Sequence, residues 1–263
     1  MKKNLLPLFF ILIVFSFSSC TKIKREYYSL TSINLQMIEN ITPEDRSIYF
    51  HFYTIELYSC LNYLIRYDFS SDNGNLTINL RDVEKNDLCI NGQGPATASM
   101  NLGKYDNGTY QINLTVAGET NTGALEVSDL GYVLHFQTLN KLNLIADTMF
   151  RIPENIFWGY VAYPKEASTG IANQVLDSLE SHGASPHNLQ HGYYGYFTIK
   201  ENGEITLLDK SDANFSINFI YKQEDPDDNI KDVIRYFNNH HLNEVYIFVR
   251  TSKGLVFNSP MNI

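Results

Sequence analysis

The sequence predicts a mostly β fold in which a series of short strands precedes a smaller part that mixes helices and strands. Three features predict this fold. Apolar and polar residues alternate in short segments before Pro153, turn-forming residues separate those segments, and helical periodicity appears only after Pro153. Because proline cannot donate a hydrogen bond within a sheet, Pro153 marks a change of structure. We therefore predict two domains, residues 27–152 and residues 153–263.

Five segments of the first domain have the two-residue period of a half-buried strand. In residues 108–117, for example, Ile112 and Leu114 fall on one predicted face and the residue between them falls on the other. The five segments are residues 60–69, 75–82, 96–102, 108–117 and 130–136. Short strands spaced about ten residues apart predict an immunoglobulin-like antiparallel β-sandwich. The comparison concerns architecture only, because no tryptophan lies between Cys60 and Cys89.

Three stretches between these segments carry turn-forming residues. Asn73-Gly74 and Asn107-Gly108 are pairs that adopt the positive φ angles of tight hairpins. Residues 91–95, with the sequence NGQGP, combine two glycines with a proline and are predicted to form a loop. These signals set the expected ends of the strands in the first domain.

Two helices are predicted after Pro153. The first lies between a cap at Ser168 or Thr169 and a stop at Gly183. Its apolar stripe consists of Ile171, Val175, Leu176 and Leu179. The second helix is predicted from the residues at its start, Asp225 and Pro226.

The second predicted helix begins with Asp225 as its N-cap and Pro226 at its first helical position. Asp227 and Asp228 then lie in the first turn, where the helix dipole favours negative charge. Its apolar stripe consists of Ile230, Val233, Ile234 and Phe237. His240 and the histidine after it end this helix, where a partly protonated imidazole is favoured by the same dipole.

Six strand candidates surround the two helices. They are residues 157–163, 193–199, 204–208, 214–222, 244–250 and 254–258. Asn202-Gly203 joins the second and the third of them as a hairpin. The order of strands and helices resembles a ferredoxin-like α+β sandwich with an added strand.

The amino terminus has the layout of a secretory signal. Lys2 and Lys3 are followed by an apolar run from Leu5 to Phe17, which is shorter than the roughly 20 residues that span a bilayer as a helix. Residues 17–20, Phe-Ser-Ser-Cys, resemble the lipobox of bacterial lipoproteins, although leucine is more frequent than phenylalanine at its first position. The general layout and the composition resemble lipoproteins of the Bacteroidota.

This resemblance implies that residues 1–19 are a signal peptide cleaved before Cys20. It also implies that the Cys20 thiol carries a diacylglyceryl group with palmitate-like acyl chains, followed by a tether over residues 20–26. Several buried acyl chains anchor a protein stably, whereas one alone binds marginally. Surface-displayed members carry acidic residues after the cysteine, whereas residues 22–25 here are largely basic, which implies an outer-membrane protein that faces the periplasm. No later segment has about 18 consecutive apolar residues.

The charge of the chain argues against nucleic acid as a partner. Without residues 1–19 the chain has 18 basic and 29 acidic residues, and no basic cluster occurs beyond residues 22–25. Such a surface repels phosphate backbones. The expected partners are therefore the lipid bilayer and either an envelope protein or a glycan. The 18 tyrosines and 16 phenylalanines suit strand packing, and the alternative is that they form stacking platforms for sugars.

Two cysteines remain besides Cys20. Because exported proteins meet an oxidising compartment, Cys60 and Cys89 are predicted to form a disulfide. The loop that it closes would stabilise the fold by about 3 to 4 kcal/mol in the chain-entropy model. The alternative is a pair of buried free thiols.

Three histidines form the first of two metal-like patterns. His187 and His191 have the spacing of zinc ligands, and His182 lies close to them in the sequence. Pro186 and the flanking glycines favour a loop, and no cysteine or carboxylate nearby completes a tetrahedral set. We therefore predict a polar loop and no metal site, with zinc binding as the alternative.

The second metal-like pattern is the opening of a calcium loop. Asp225, Asp227 and Asn229 match its first three ligands. That loop then needs a glycine and a bidentate glutamate, and Ile230 and Tyr236 stand at those positions. The start of a helix explains all three residues without calcium.

No catalytic or nucleotide-binding motif was found in the sequence, and no cofactor is expected. Trp158, the only tryptophan, is predicted to be a core residue at the domain junction rather than a stacking residue in a cleft. We therefore expect a non-enzymatic, lipid-anchored envelope protein that acts as a binding or interaction module. One alternative is a carbohydrate-binding accessory lipoprotein. The other is a metal-dependent hydrolase that uses His182, His187 and His191.

Overall fold

A computed structural model describes residues 25–259. Of these residues, 53% are in strands and 13% in helices, so the described part of the chain is mostly β, which confirms the predicted fold class at this level. The strands form three sheets, and two helices pack against one of them. The predicted secretory signal and Cys20 lie outside the described residues.

The described chain contains nineteen strands, two α-helices and one short 3₁₀ helix. The strands are β1 (Tyr27–Ser29), β2 (Ile33–Ile41), β3 (Arg46–Cys60), β4 (Leu64–Asp72), β5 (Asn75–Glu84), β6 (Asn91–Gly103), β7 (Gly108–Val116), β8 (Glu119–Val127), β9 (Gly131–Phe136), β10 (Leu142–Leu144), β11 (Thr148–Phe150), β12 (Ile156–Tyr163), β13 (Ser185–Pro186), β14 (Gly192–Tyr193), β15 (Phe197–Ile199), β16 (Ile205–Leu207), β17 (Phe215–Lys222), β18 (Tyr246–Thr251) and β19 (Val256–Asn258). The helices are the 3₁₀ turn Glu166–Ser168, α1 (Thr169–Ser181) and α2 (Asp227–His240).

Sheet A contains β1 to β11 and curls into a half-barrel. Its strand order is β10-β2-β3-β6-β4-β5-β7-β8-β9-β11, and β1 also pairs with β5. The predicted alternation places one side of most of these strands in a single apolar core, whereas the three residues of β1 are exposed. Its largest fully buried side chains include Ile33, Leu35, Phe50, Phe52, Leu76 and Ile78.

Three pairings in sheet A are parallel, whereas the sequence predicted an antiparallel arrangement. β5 pairs with β7, β2 pairs with β10, and β4 meets β6 at a single residue pair. One cause is that Asn107-Gly108 does not form a hairpin, because β6 and β7 are separated in the sheet by β4 and β5. A local turn signal does not reveal which strand is the neighbour in space. Asn73-Gly74 does form the predicted hairpin, with φ angles of 47° and 80°.

Residues 91–95 also differ from the prediction, because they begin β6 instead of forming a loop. β3 extends far enough to pair with them, with Cys60 opposite Asn91 and Tyr58 opposite Gly94. The pairing is irregular, with register shifts on both sides of this contact. Glycine and proline are tolerated at such irregular positions of a strand.

A β-bulge interrupts the alternation predicted for residues 60–69. It lies between Arg66 and Tyr67 of β4. Before the bulge Ile65 is buried as predicted, whereas after it Tyr67 is exposed. The extra residue is Arg81 of β5, because Arg66 pairs with Asp82 and Tyr67 pairs with Leu80. Phe69 packs against the core again, so the departure at Tyr67 is local, and a two-residue period read from the sequence cannot anticipate it.

Sheet B has the strand order β13-β17-β12-β18-β19. The central strand β12 is buried along its whole length and pairs antiparallel with both β17 and β18. β17 and β18 are therefore parallel, and α2 connects them across β12. Both helices pack on one face of this sheet and form a second apolar core with it. The strands predicted in this part are present with ends that differ by a few residues, except that residues 193–199, predicted as one strand, form the two separate strands β14 and β15.

α1 ends at a glycine, as predicted. The Gly183 N–H donates to the Glu180 carbonyl oxygen over 2.9 Å, and the Ala184 N–H donates to the Leu179 carbonyl oxygen over 3.1 Å. Gly183 has a φ of +97°, so this pair of hydrogen bonds is a Schellman motif. Ser168 occupies the N-cap position at the other end.

α2 begins one residue later than predicted. Pro226 occupies the N-cap position, and Asp225, the expected cap, has a φ of +44° and pairs with Lys253 instead. Asp227 and Asp228 lie in the first turn, as predicted. The predicted apolar stripe is buried and consists of Ile230, Val233, Ile234 and Phe237.

Sheet C, formed by β14, β15 and β16, packs with sheet B around a third apolar core. Trp158 of β12 is 2% exposed there and contacts the rings of Tyr196 and Phe197, which confirms it as a core residue. Ile41, at the end of β2, belongs to the same core, and its N–H donates to the Tyr196 hydroxyl over 3.1 Å. These contacts join sheet A to the C-terminal part of the chain.

The predicted disulfide between Cys60 and Cys89 is present, with the two Cα atoms 5.3 Å apart. It lies at the end of sheet A where β1 pairs with the last residues of β5. We call this end, defined by the two cysteines and β1, the disulfide end. Of the helices between residues 25 and 259, none has the length and apolar character needed to cross a bilayer.

Candidate functional site

A large cavity lies at the opposite end of sheet A from the disulfide. It has a volume of about 1030 Å³ and is lined by the β2–β3 turn, the β6–β7 loop and the β18–β19 turn. We call this cavity the cleft and this end of sheet A the cleft end. Its volume is at the upper limit of typical small-molecule sites, so there is room for a ligand of substantial size.

A buried carboxylate forms part of the cleft wall. Glu39 of β2 lines the cleft and is 3% exposed. It follows Leu35 and Met37 on the buried side of the strand. The Tyr132 hydroxyl donates a hydrogen bond to Glu39 Oε1 over 2.7 Å. The other oxygen, Oε2, is buried without a hydrogen-bond partner and lies 3.6 Å from Arg46 Nη1. Burial of such a charge is costly unless opposite charges accompany it.

Arg46 connects this carboxylate to the C-terminal part of the chain. Its Nη1 donates to the carbonyl oxygen of Ile152 over 2.9 Å, and its Nη2 donates to the carbonyl oxygen of Ser252 over 2.8 Å. The guanidinium therefore joins the start of β3 to both the segment after β11 and the β18–β19 turn. Arg46 holds the two sides of the cleft together while it faces Glu39.

Arg151 lies on the other side of the same carboxylate. Its Nε is 3.9 Å from Glu39 Oε1, and its guanidinium lies over the Tyr132 ring at 4.8 Å. The side chain is 28% exposed and lines the cleft, yet its Nε is buried without a hydrogen-bond partner. Burial, and then the negative charge of Glu39, raises the pKa of Tyr132, so its hydroxyl remains a donor at neutral pH.

The rim of the cleft is polar and carries both signs of charge. Its carboxylates are Glu44, Asp45, Asp106, Asp129 and Glu154, its lysines are Lys104 and Lys253, and its amides are Asn107 and Asn155. The Asn107 amide donates to Asp129 over 2.8 Å, and Lys104 lies 3.6 Å from Asp45. Tyr105 adds an aromatic ring. Many donors and acceptors around one cavity favour a hydrophilic ligand over an apolar one.

A smaller cavity of about 480 Å³ adjoins the cleft and shares four residues with it, Arg46, Asp129, Arg151 and Glu154. Its opposite wall includes Asn188 and Gln190, which belong to the histidine-rich segment identified in the sequence. That segment reaches the smaller cavity through residues 188–190, and none of its three histidines lines either cavity.

The three histidines have separate surroundings. His182 Nδ1 contacts the Ser178 carbonyl oxygen at 2.7 Å at the end of α1. The backbone N–H of His187 donates to β17 over 3.0 Å, and His191 is exposed. Between residues 25 and 259 no group of three or more His, Cys, Asp or Glu side chains is placed to hold a metal ion.

The residues of the calcium-like pattern serve the start of α2. Asp225 pairs with Lys253, and the Asn229 amide donates to the carbonyl oxygen of His182 over 3.0 Å, which joins α2 to the end of α1. Asp227 lies in the first turn of α2. Asp225 and Asn229 therefore have structural roles at the start of α2.

Sequence reasoning did not identify Glu39, Arg46, Tyr132 or Arg151 as site residues. One signal was available for Glu39, because it is a charged residue in the apolar alternation of residues 33–41. A charge at such a position indicates a buried polar site. The two arginines carry no comparable local signal, because their partners lie far away in the sequence.

Comparisons of the chain with protein-family models, with curated proteins and with solved structures find no match.

Proposed function

We propose that the protein is a lipid-anchored, non-enzymatic binding module of the bacterial envelope that takes a hydrophilic ligand in the cleft. The observation that carries this proposal is Arg151, a partly buried cation that lines the cleft and whose Nε lacks a hydrogen-bond partner. An incompletely paired charge in a cavity wall is unfavourable for stability alone. Clefts with a few such convergent polar groups are typical of ligand sites.

The anchor is proposed from the amino-terminal sequence. Residues 1–19 would be a signal peptide, and Cys20 would carry the diacylglyceryl group that fixes the protein to the periplasmic side of the outer membrane, as in the lipoproteins that it resembles. The disulfide between Cys60 and Cys89 supports this location, because disulfides persist in oxidising compartments.

A carbohydrate is the ligand class that the rim favours. Asp106, Asn107 and Tyr105 come together in the β6–β7 loop, and Tyr105 packs edge-on against Tyr110 with ring centroids 4.6 Å apart. Planar polar groups beside an aromatic ring suit the hydroxyl groups and the apolar faces of a sugar. A carbohydrate-binding accessory lipoprotein is therefore the second candidate. The metal-dependent hydrolase gains no comparable support from the described residues.

The finer fold names are also proposals. For residues 153–263, the crossover from β17 through α2 to β18 around β12 supports a ferredoxin-like arrangement. For residues 27–152, the strand alternation supported an immunoglobulin-like sandwich. The continuous curled sheet and its parallel pairings favour a half-barrel instead.

The anchor is tested by growth of producing cells with an alkyne-labelled palmitate. We expect label on the wild-type protein and none on Cys20→Ser, and we expect mass spectrometry to place the mature amino terminus at Cys20. An unmodified cysteine, or a mature protein that starts elsewhere, would refute the anchor.

The cleft is tested first on an array of neutral, amino and acidic glycans. A retained sugar that is lost in Tyr105→Ala but kept in Tyr67→Ala, a matched tyrosine outside the cleft, supports carbohydrate binding. Retention of no sugar by the wild type would remove the carbohydrate candidate.

A protein partner is tested by photo-crosslinkers placed in intact cells at Lys104, on the rim, and at Lys231, on α2. Capture at Lys104 alone supports a binding module that uses the cleft. The cleft is not the binding site if the array retains no sugar and the crosslinker at Lys104 captures no protein. The same holds if the crosslinkers at Lys104 and Lys231 capture proteins equally.

A further inference from the structure

Four large aliphatic side chains are exposed around the disulfide. Leu57, Leu61, Leu88 and Ile90 have exposed fractions of 59%, 51%, 80% and 57%. They lie on two segments that the disulfide joins, and the Leu61 N–H donates to the Ile90 carbonyl oxygen over 3.0 Å. We call these four residues the apolar patch. The predicted alternation had placed Leu61 on the buried face, but it precedes β4 and points outward.

The segments that carry the apolar patch are firmly held. The Asn62 amide donates to the Leu88 carbonyl oxygen, and the Ile90 N–H donates to Asn62 Oδ1 over 3.0 Å. The disulfide adds a covalent link at the same place. A group of aliphatic side chains that a fixed scaffold presents to solvent indicates an interaction surface.

The described chain begins at this same end of sheet A. β1 pairs with the last residues of β5, and the Lys85 N–H donates to the Glu26 carbonyl oxygen over 3.0 Å. Only five residue steps separate Cys20 from Arg25, the first described residue. A chain of that length reaches at most about 18 Å. A lipid on Cys20 would therefore hold the disulfide end close to the bilayer.

We propose that the apolar patch inserts into the interface of the phospholipid bilayer that holds the anchor, so that the protein meets the membrane at two places. This inference rests on the lipid anchor of the proposed function. Tyr27 and Tyr28 of β1 are also partly exposed at this end, and tyrosine rings favour the membrane interface. Lys85 and Asp87 carry opposite charges close to the apolar patch. The contact therefore depends on insertion of the apolar side chains rather than on attraction to anionic headgroups.

This contact fixes the orientation of the cleft relative to the membrane. β3 runs from Arg46, which lines the cleft, to Cys60 at the disulfide. Its 15 residues span roughly 50 Å at the usual rise of a strand. With the apolar patch on the bilayer, the cleft faces away from the membrane and opens to hydrophilic ligands in the aqueous compartment.

The test places a tryptophan at each end of sheet A in the full lipidated chain. Leu88→Trp reports on the apolar patch, and Leu130→Trp is the matched control, because Leu130 is also a highly exposed leucine but lines the small cavity at the cleft end. Each variant is reconstituted into vesicles of phosphatidylethanolamine and phosphatidylglycerol, with and without brominated acyl chains. Trp158 is buried and contributes the same background to both variants.

We expect brominated lipid to quench the added emission of Leu88→Trp several-fold more than that of Leu130→Trp. Leu57→Trp, a second position in the apolar patch, should behave like Leu88→Trp. Equal quenching at both ends of the sheet, in protein whose lipid is confirmed by mass spectrometry, would overturn membrane insertion while leaving the anchor in place. Emission that changes with protein concentration but not with bromination would show that a second copy of the protein covers the apolar patch. This result would also overturn membrane insertion. Absence of the lipid itself would overturn the anchor and the inference together.

Discussion

The two ends of β3 lie on surfaces of opposite chemistry. At the disulfide end, Cys60 is bonded to Cys89, and aliphatic side chains are exposed around the bond. At the cleft end, Arg46 faces a buried carboxylate beneath a rim of charged and amide side chains. One continuous strand therefore connects a surface that suits hydrocarbon with a cavity that suits a hydrophilic ligand.

The two ends are also stabilised by different means. The disulfide stabilises the fold mainly because it restricts the unfolded chain. The Glu39 network stabilises the folded state only while its charges and hydrogen bonds are intact, because buried charges are costly when a partner is removed. This difference means that loss of the disulfide and loss of the carboxylate should have separable effects on folding and on the cleft.

Removal of the disulfide is expected to have the largest effect on stability. Cys60→Ala/Cys89→Ala should lower the free energy of unfolding by about 3.5 kcal/mol, because the unfolded chain regains the freedom of the closed loop. Urea unfolding of the oxidised wild type and of the double variant measures this change. Reductant should not change the free energy of unfolding of the variant, whereas it should lower that of the wild type to the value of the variant. A ligand bound in the cleft should keep its affinity, and loss of that affinity would show that the two ends are coupled.

Removal of the buried carboxylate at the cleft end should be nearly as costly. Glu39→Ala leaves the guanidinium groups of Arg46 and Arg151 without an anionic partner and the Tyr132 hydroxyl without its acceptor. We expect a loss of about 3 kcal/mol in urea unfolding. Glu126→Ala is the control, because Glu126 is an exposed glutamate on β8 whose removal should cost little. Equal costs for the two variants would show that the charges around Glu39 are not coupled.

Local patterns predicted the elements of this fold better than their arrangement. The strand around Ile112 and the stop of α1 at Gly183 were predictable, because a two-residue period and a helix cap are properties of neighbouring residues. The order of strands in sheet A was not predictable, because Asn107-Gly108 has the same local signal as Asn73-Gly74 but ends a crossover instead of a hairpin.

The candidate site was hidden from the sequence for a related reason. Tyr132 and Glu39 are 93 positions apart, and Arg46 and Ile152 are 106 positions apart, so no motif of fixed spacing contains them. The disulfide was predictable because only two cysteines remain after Cys20, which leaves one pairing.

The junction that closes the cleft is tested by a pair of glycines. Gly254 and Gly203 both have a φ of +82°, but a Cβ at Gly254 would lie 2.5 Å from Thr42 Cα in the β2–β3 turn, whereas a Cβ at Gly203 would meet nothing within 4 Å. Both alanine variants carry the strain of a positive φ, so their difference isolates the clash. We expect Gly254→Ala to be less stable than Gly203→Ala by about 2 kcal/mol in urea unfolding. Equal stability would show that the β18–β19 turn can move away from sheet A at little cost.

The smallest expected effect is a pH dependence at the disulfide end. Arg66 donates two hydrogen bonds to the Asp82 carboxylate and lies over the Tyr27 ring at 4.1 Å, so this pair helps to hold β1. The hydrogen bonds from Arg66 lower the pKa of Asp82. A lowered pKa in the folded state stabilises the protein above the ordinary carboxyl pKa of about 3.9, and this stabilisation is lost as the pH falls from there through the lowered value.

Asp82→Asn should therefore be less stable than the wild type by about 1 kcal/mol at neutral pH, and the difference should shrink as the pH falls below about 3.9. Urea unfolding over a series of acidic buffers measures it. A difference that stays constant with pH would mean that Asp82 acts through its shape and hydrogen bonds rather than through its charge. The disulfide end would then be held by the covalent bond and strand pairing, without an electrostatic contribution from this pair.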